Sequence, residues 1–295
     1  MSIETTALSG ALGVRISGVD LSQPMDHKTA QEVYAAFVQH KVIAFSNQSI
    51  SSAELIQFSK SFGPLDIHSN SDYLLDGFPE ILILSNDLKD GQPIGVVDAG
   101  VEWHSDLSWQ LDPPLGSILH CLTTPTTGGR TGFLNMSAAY QLLPKSLQER
   151  LLSLEGSHCV SKLVNSRVTI SENRVNAAAF YAEQLKKHPP VSHPMVYEHP
   201  DTGEKILFAS PRFTIGIDGL DEEEGQSLLD EIFAYFDDET IRYDYSWSEG
   251  DIVMWDNRSV LHCALGGYQY PDIRLIHRTT VLCDDATRLR PVASL

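Results

Sequence analysis

The feature that most constrains this chain is its punctuation. Gly, Pro, Asn and Asp cut much of it into short, strand-length apolar runs, and strand and helix patterns do not alternate regularly. A parallel sheet of βαβ units would need that alternation. The expectation is therefore a mainly β fold with flanking helices: an antiparallel core, best fitted by a jelly roll. GVRISGVDLSQP reads as a strand and a turn, and VIAFSNQ as a buried strand. PMVYEHPDTGEKILFAS reads as a hairpin with a polar, solvated tip, and YDYSWSEGDIVMW as a second hairpin turning at Glu249-Gly250. Helical spacing of apolar residues appears from Thr29 to His40 and, on an acidic amphipathic background, from Leu220 to Phe236. Ser51 to Glu54 fits a capping box that opens a helix ending near Gly63, and Pro144 begins another reaching about Leu154.

No internal repeat, low-complexity tract or linker breaks the sequence, so residues 1–295 are expected to form one domain. The polar stretch at about 166–190 reads as an insert or a mobile lid. Lys plus Arg number 21 against 39 Asp plus Glu, a net charge of −18. Such a surface repels phosphate backbones and anionic lipid, which argues against nucleic-acid and membrane partners. It also makes an arginine near a site a pointer to a specific anion. The opening MSIETTALSG lacks a basic region followed by an apolar one, and no stretch approaches the ~18 apolar residues of a membrane span. Cys121, Cys159, Cys263 and Cys283 are far apart and form no C-x-x-C pair. Reduced thiols in a cytoplasmic protein are the expectation.

Chemistry concentrates in VEWHSDLSW. His104 and Asp106 are two apart, and on a strand residues i and i+2 share a face, so both could reach one ion. Imidazole and carboxylate suit Fe(II) or another divalent first-row metal. Two protein ligands are too few. His262 follows the strand-like run DIVMWDNRSVLH and is the candidate third. Two histidines and one carboxylate on one face of an octahedron leave three open positions, the facial triad of oxygen-activating iron enzymes. The pattern H-x-D alone is weak evidence, because His199-Pro200-Asp201 repeats it. That second copy lies in the turn-like HPDTGEK, where a solvated loop tip is expected.

These blocks together resemble a known family. LGVRISGVDLSQP, FSKSFGPLDIH, WHSDLSW, PTTGGRTGFLNMSAAYQLLP, GDIVMWDNRSVLHCA and RLIHRTTV, in that order, are similar to the taurine dioxygenase and dichlorophenoxyacetate dioxygenase family of Fe(II)/2-oxoglutarate enzymes. The resemblance covers nearly the whole chain and implies a double-stranded β-helix (jelly-roll) core. It puts the iron ligands on His104, Asp106 and His262. It puts the co-substrate contacts on Thr131 and Arg274, where a guanidinium fork and a hydroxyl would hold the remote carboxylate of 2-oxoglutarate. Arg278, four residues on, falls on the position that holds the anionic group of the main substrate, although one extra residue separates His262 from Arg274 here. His68 and Phe213 fall on substrate-contacting positions. Tyr73, Trp109 and Arg212 are further candidates for the pocket's surroundings. Asp256, Asn257 and Arg258 are candidates to brace the strand of His262. The resemblance also implies a homo-oligomer, dimer or tetramer. Gly100 stands where the taurine enzyme has a substrate-contacting Asn, which argues against taurine.

The expected activity is an O2-consuming, Fe(II)- and 2-oxoglutarate-dependent dioxygenase. It would hydroxylate a small carboxylate, sulfonate or sulfate, with C–O, C–N or C–S cleavage where the hydroxylated carbon bears a heteroatom, and give succinate and CO2. Two rivals are a non-catalytic jelly-roll protein that binds a small anion and a zinc hydrolase, which gives no reason for Thr131 and Arg274.

Overall fold

The computed structural model of the chain describes residues 3–68, 71–97, 100–160, 183 and 185–292. The insert expected at about 166–190 lies outside the described residues, except for 183 and 185–190.

The larger sheet has eight strands. Their spatial order is β1 (Glu4–Ala7), β2 (Val14–Ser17), β3 (Val42–Phe45), β16 (Ile252–Asp256), β8 (Gly116–Thr123), β18 (Leu275–Val281), β5 (Phe78–Ser85) and β4 (Leu74–Leu75). Only β2 and β3 pair in parallel. A second sheet runs β15 (Arg242–Tyr245), β9 (Thr131–Asn135) and β17 (Val260–Ala264), all antiparallel. Two more three-stranded sheets extend that side. One is β11 (Val191–Pro194), β10 (Glu155–His158) and β14 (Thr214–Ile217); the other is β13 (Lys205–Leu207), β12 (Val196–Glu198) and β19 (Arg290–Pro291). A short ribbon joins β6 (Leu88–Lys89) to β7 (Gln92–Pro93).

Period-two alternation explains the layering. Val42, Ala44, Val253 and Trp255 of the larger sheet pack with Phe133, Tyr245 and Val260 of the second, so one core lies between the sheets. The alternate residues, Ile43, Phe45, Ile252 and Met254, pack on the other side with helices α1 (His27–His40) and α2 (Ser52–Lys60). On the outer face of the second sheet, Leu134 and Leu261 meet α3 (Met136–Leu142), α4 (Lys145–Leu151) and α5 (Glu222–Phe233). By the same alternation His262, two residues after Val260, faces the interior.

The second helix begins at its expected capping box, and the first begins two residues before the expected Thr29. Asp26 accepts a bond from Thr29 N at the start of α1, and α1 ends on Lys41, whose φ of 67° is left-handed. Ser51 and Glu54 form the full reciprocal capping box at α2, a feature worth ~1 kcal/mol. The hairpin in PMVYEHPDTGEKILFAS forms as β12 and β13, with Tyr197 opposite Ile206.

The second expected hairpin does not form. Glu249-Gly250 is indeed a turn, with Gly250 at φ 79°, but β15 pairs with β9 while β16 pairs with β3 and β8. The chain crosses from one sheet to the facing one. Both segments are apolar enough to line the same interior, and Tyr245 and Trp247 pack into one core with Val253 and Trp255. Facing walls therefore win over neighbouring strands.

His199 is a second correction. It was expected on a solvated tip, yet it is 1% exposed. Its Nε2 lies 3.0 Å from Asp256 Oδ2, and Arg258 clasps the same Asp256 at 2.7–2.9 Å. Asp201 joins through Arg258 Nη1 at 3.0 Å, and Lys41 meets Glu204 at 2.8 Å. The tip is folded down onto the β16–β17 turn by this ion network. Turn composition alone cannot reveal such a partner.

Candidate metal centre and cavity

His104 and His262 are brought together by main-chain pairing. They form an isolated antiparallel bridge, with His104 N donating to His262 O at 3.1 Å and His262 N to His104 O at 2.8 Å. Their rings lie 4.1 Å apart. The i, i+2 strand argument for Asp106 does not hold in detail. The chain leaves the bridge after His104 and enters a turn in which Leu107 has φ 52°. Asp106 reaches the same point because the turn folds it back beneath the histidines. His104 Nε2 stands 3.7 Å from Asp106 Oδ1, and His262 Nε2 3.8 Å from Asp106 Oδ2. One ligand atom from each of the three lies within 4.8 Å of the others, and all three residues are buried. No other such group occurs among the described residues.

Protonation suits a cation. Burial, above all, holds both His104 and His262 below the usual imidazole pKa, so both are neutral near pH 7. Burial opposes ionisation of Asp106, but its charged neighbours, Arg278 foremost, outweigh it and hold the carboxyl well below its usual range. His104 Nδ1 lies 2.8 Å from the Glu102 carbonyl, so that nitrogen carries the proton and Nε2 keeps its lone pair facing the other ligands. Gly100 (φ 75°) guards the same face. A Cβ there would stand 2.6 Å from His104 Cε1 and 3.2 Å from Nε2, in space that an ion and its ligands need. The donor set and this cradle therefore fit a divalent first-row metal.

The triad is held from behind. Ser117 donates to Asp106 Oδ2 at 2.6 Å. Asn257 Nδ2 donates to Ser117 at 3.1 Å, while Asn257 Oδ1 accepts from Trp255 Nε1 at 2.9 Å and from Asp106 N at 3.4 Å. Ser105 donates to the Asn257 carbonyl at 2.7 Å. The Trp255 ring packs 4.4 Å from that of His262. One asparagine thus supports the surroundings of all three ligands. Sequence reasoning overlooked Ser117, because a serine in an apolar strand carries no signal of its own.

The triad opens onto a cavity of about 420 Å³ whose wall includes His104, His262, Thr131, Arg274 and Arg278. Both arginines are buried, at 8% and 9% exposure. Arg274 donates from Nε to the Gly129 carbonyl at 3.2 Å, and its backbone is pinned by Asn86 at 2.8 Å. Arg278 donates from Nη1 to Asp106 Oδ1 at 3.2 Å, while its Nε is buried and without a hydrogen bond. A buried guanidinium with spare donors awaits an anion. The third cation of the wall is Arg130, and among the described residues no Asp or Glu lines the cavity. The rest is largely apolar, including Leu84, Leu88, Val96, Val97, Val101 and Tyr270.

His68 and Phe213 are absent from this wall. His68 is half-buried, and burial together with the charge of Arg278 pushes its pKa down to about 4. Phe213 packs edge-on against the His104 ring at 5.8 Å, and the Arg212 guanidinium lies 5.3 Å over the Phe213 ring. Trp109 is in the same small cluster as Phe213. Tyr73 packs with the core between the sheets.

The chain is similar to known proteins over nearly its whole length. The family model described as "Taurine catabolism dioxygenase TauD, TfdA family" matches residues 4–280. The alpha-ketoglutarate-dependent 2,4-dichlorophenoxyacetate dioxygenase of Cupriavidus pinatubonensis is 31% identical, over 97% of this chain and 99% of that protein. An alkylsulfatase of Acinetobacter baylyi is 30% identical, over 95% of this chain and 84% of its own length. Among solved structures, a taurine dioxygenase from Burkholderia xenovorans superposes with a TM-score of 0.79 at 26% identity, covering 100% of this chain and 96% of that one. A structure titled AAD-2 in complex with Mn(II) and N-oxalylglycine matches with a TM-score of 0.78 at 26% identity, over 97% of this chain and 100% of that one.

Proposed function

The chain belongs to the taurine catabolism dioxygenase TauD/TfdA family and is a 2-oxoglutarate-dependent dioxygenase; on that premise we propose that His104, Asp106 and His262 hold its iron, that Thr131 and Arg274 anchor 2-oxoglutarate, and that Arg278 receives the anionic group of the substrate. The observation that carries this reading is the convergence of three buried donors on one point, beside a cavity that carries two buried arginines.

When bound, Fe(II) with 2-oxoglutarate and O2 supplies the oxidising power to hydroxylate a substrate C–H, with succinate and CO2 as co-products. The protein's own residues supply geometry. The neutral imidazoles and the ionised Asp106 are in ligand form before any ion arrives. Arg274 and Thr131 fix one end of a dicarboxylate at a set distance from the triad. Arg278 fixes the substrate's anion on the other side, and the apolar wall excludes water from the reacting carbon. The carboxylate at position 106 fills the ligand position that halogenation leaves to chloride, which supports hydroxylation, with C–O, C–N or C–S cleavage where the carbon bears a heteroatom.

The wall narrows the substrate. A cavity with three arginines and no acidic side chain among the described residues suits a carboxylate, sulfonate or sulfate with an apolar body better than a cation. Gly100 likewise offers no polar side chain where the taurine enzymes have one. His68 and Phe213 complete the surroundings of that substrate, His68 from beside Arg278 and Phe213 from behind His104. The chain acts as one catalytic domain in a homo-oligomer. The free thiols of Cys121, Cys263 and Cys283 support a cytoplasmic location, and among the described residues no helix is long and apolar enough to cross a membrane.

The test is succinate release from 2-oxoglutarate, with and without Fe(II), across a panel of aryloxyalkanoates, alkyl sulfates and aminosulfonates. Apolar-bodied anions are expected to stimulate release and zwitterions to fail. Arg274→Ala is expected to raise the KM for 2-oxoglutarate by the ~2–5 kcal/mol of a truncated buried charge contact. If it selectively impaired the other substrate instead, the two arginine roles would have to be exchanged.

A further inference from the structure

We propose that Trp247 is a positioning residue that fixes the Thr131 hydroxyl as a donor toward the co-substrate carboxylate. The proposal rests on the reading of Thr131 and Arg274 as the 2-oxoglutarate anchors.

Trp247 follows β15, whose Tyr245 stands opposite Thr131 of β9. Its indole Nε1 donates to Thr131 Oγ1 at 3.0 Å, and both residues are buried, at 8% and 4% exposure. Indole is a donor only, whereas a hydroxyl has one proton and two lone pairs. Once the oxygen accepts the indole proton, its own proton must leave in another direction. Thr131 lines the cavity, and among the described residues its hydroxyl has no second hydrogen-bond partner. That proton is therefore aimed into the cavity, where a group that only accepts, such as a carboxylate, satisfies it.

The indole cannot swing away. The Tyr245 ring packs edge-on against it at 5.0 Å, and the Tyr245 hydroxyl donates to Asp251 Oδ2 at 2.8 Å. The Arg274 guanidinium stands 5.9 Å from the Trp247 ring centroid, so one side chain touches both anchors. Trp247 itself is not part of the cavity wall and has no route to the co-substrate except through them.

The experiment is a double-mutant cycle read by calorimetric titration of 2-oxoglutarate into the full-length, Mn(II)-loaded protein, which requires no turnover. Trp247→Phe keeps an aromatic ring and removes the N–H. It is expected to weaken binding by about three- to tenfold, the worth of one hydrogen bond. Thr131→Val is expected to weaken binding as well, and Trp247→Phe in that background is expected to cost nothing more. Equal losses from Trp247→Phe in both backgrounds, or no loss at all, would overturn the proposal and leave Trp247 as a packing residue. If Thr131→Val left binding unchanged, the anchor reading and the proposal would fall together. Should Trp247→Phe not fold, benzothienylalanine at position 247, the same shape without the N–H, serves in the same cycle.

Discussion

His104-Ser105-Asp106 and His199-Pro200-Asp201 repeat one pattern, and in both the histidine is more than nine-tenths buried. Their ring nitrogens have opposite fates. In the first copy Nδ1 is taken by the Glu102 carbonyl at 2.8 Å, and Nε2 faces Asp106 and the cavity. In the second, Nδ1 accepts from Asp201 N and Thr202 N, both at 3.3 Å, and Nε2 meets Asp256 Oδ2 at 3.0 Å. His199 has no lone pair left for an ion. The two carboxylates diverge as well. Asp106 turns toward the imidazoles, while Asp201 turns outward to Arg258 and the Tyr34 hydroxyl. One motif thus keeps a nitrogen open to a cation or becomes a structural clasp according to what its neighbours leave unsatisfied.

Substitutions can break or sharpen this contrast. The largest effect is expected from His104→Ala, or equally His262→Ala, which should reduce iron-dependent succinate formation to background while the protein stays folded by circular dichroism. Retained turnover in either would remove the ligand assignment.

Next is Asp256→Asn, on the clasp. It leaves Arg258 buried without its charge partner and should cost ~3–5 kcal/mol of stability in denaturant unfolding, with the iron affinity of the folded protein close to that of the parent. The pH dependence has a definite sign. Burial opposes ionisation of Asp256, but Arg258 and His199 outweigh it and hold its folded pKa below the usual carboxylate value. The stabilisation is therefore complete above the unfolded value of about 3.9 and is lost as pH falls from there toward the folded one. In Asp256→Asn that part of the acid limb should flatten. An unchanged acid limb would place the stabilisation elsewhere.

Smallest is Asp201→Asn. Its carboxylate is 28% exposed, and its pair with Arg258 should be worth under ~1 kcal/mol, with no change in activity. A loss of turnover there would mean that the clasp reaches the iron, and the two copies would no longer be separable.

Much of the site was legible because its residues are chemically unusual in their setting. A histidine and a carboxylate between tryptophans stand out in the sequence alone, whereas Arg274 and Arg278 became candidates only through the family resemblance. Ser117 and Trp247 did not, since a serine in an apolar strand or a tryptophan just beyond one reads as ordinary core. Their roles exist only across the barrel, where Ser117 meets Asp106 and Trp247 meets Thr131. The same limit explains the failed hairpin. Alternation and a glycine turn reveal two strands and a reversal, but not whether the second strand lies beside the first or across from it.

By itself the sequence determined the strand-rich class, the capping box at Ser51 and the H-x-D pair of His104 and Asp106, because each depends on residues a few positions apart. Only the tertiary structure decided which histidine kept a free nitrogen, that Asp106 approaches the two imidazoles from a turn, and that His199 is buried. Those outcomes hang on partners far away in the chain, and a hydrogen-bond donor or acceptor is free or taken only once the fold has brought its neighbours to it.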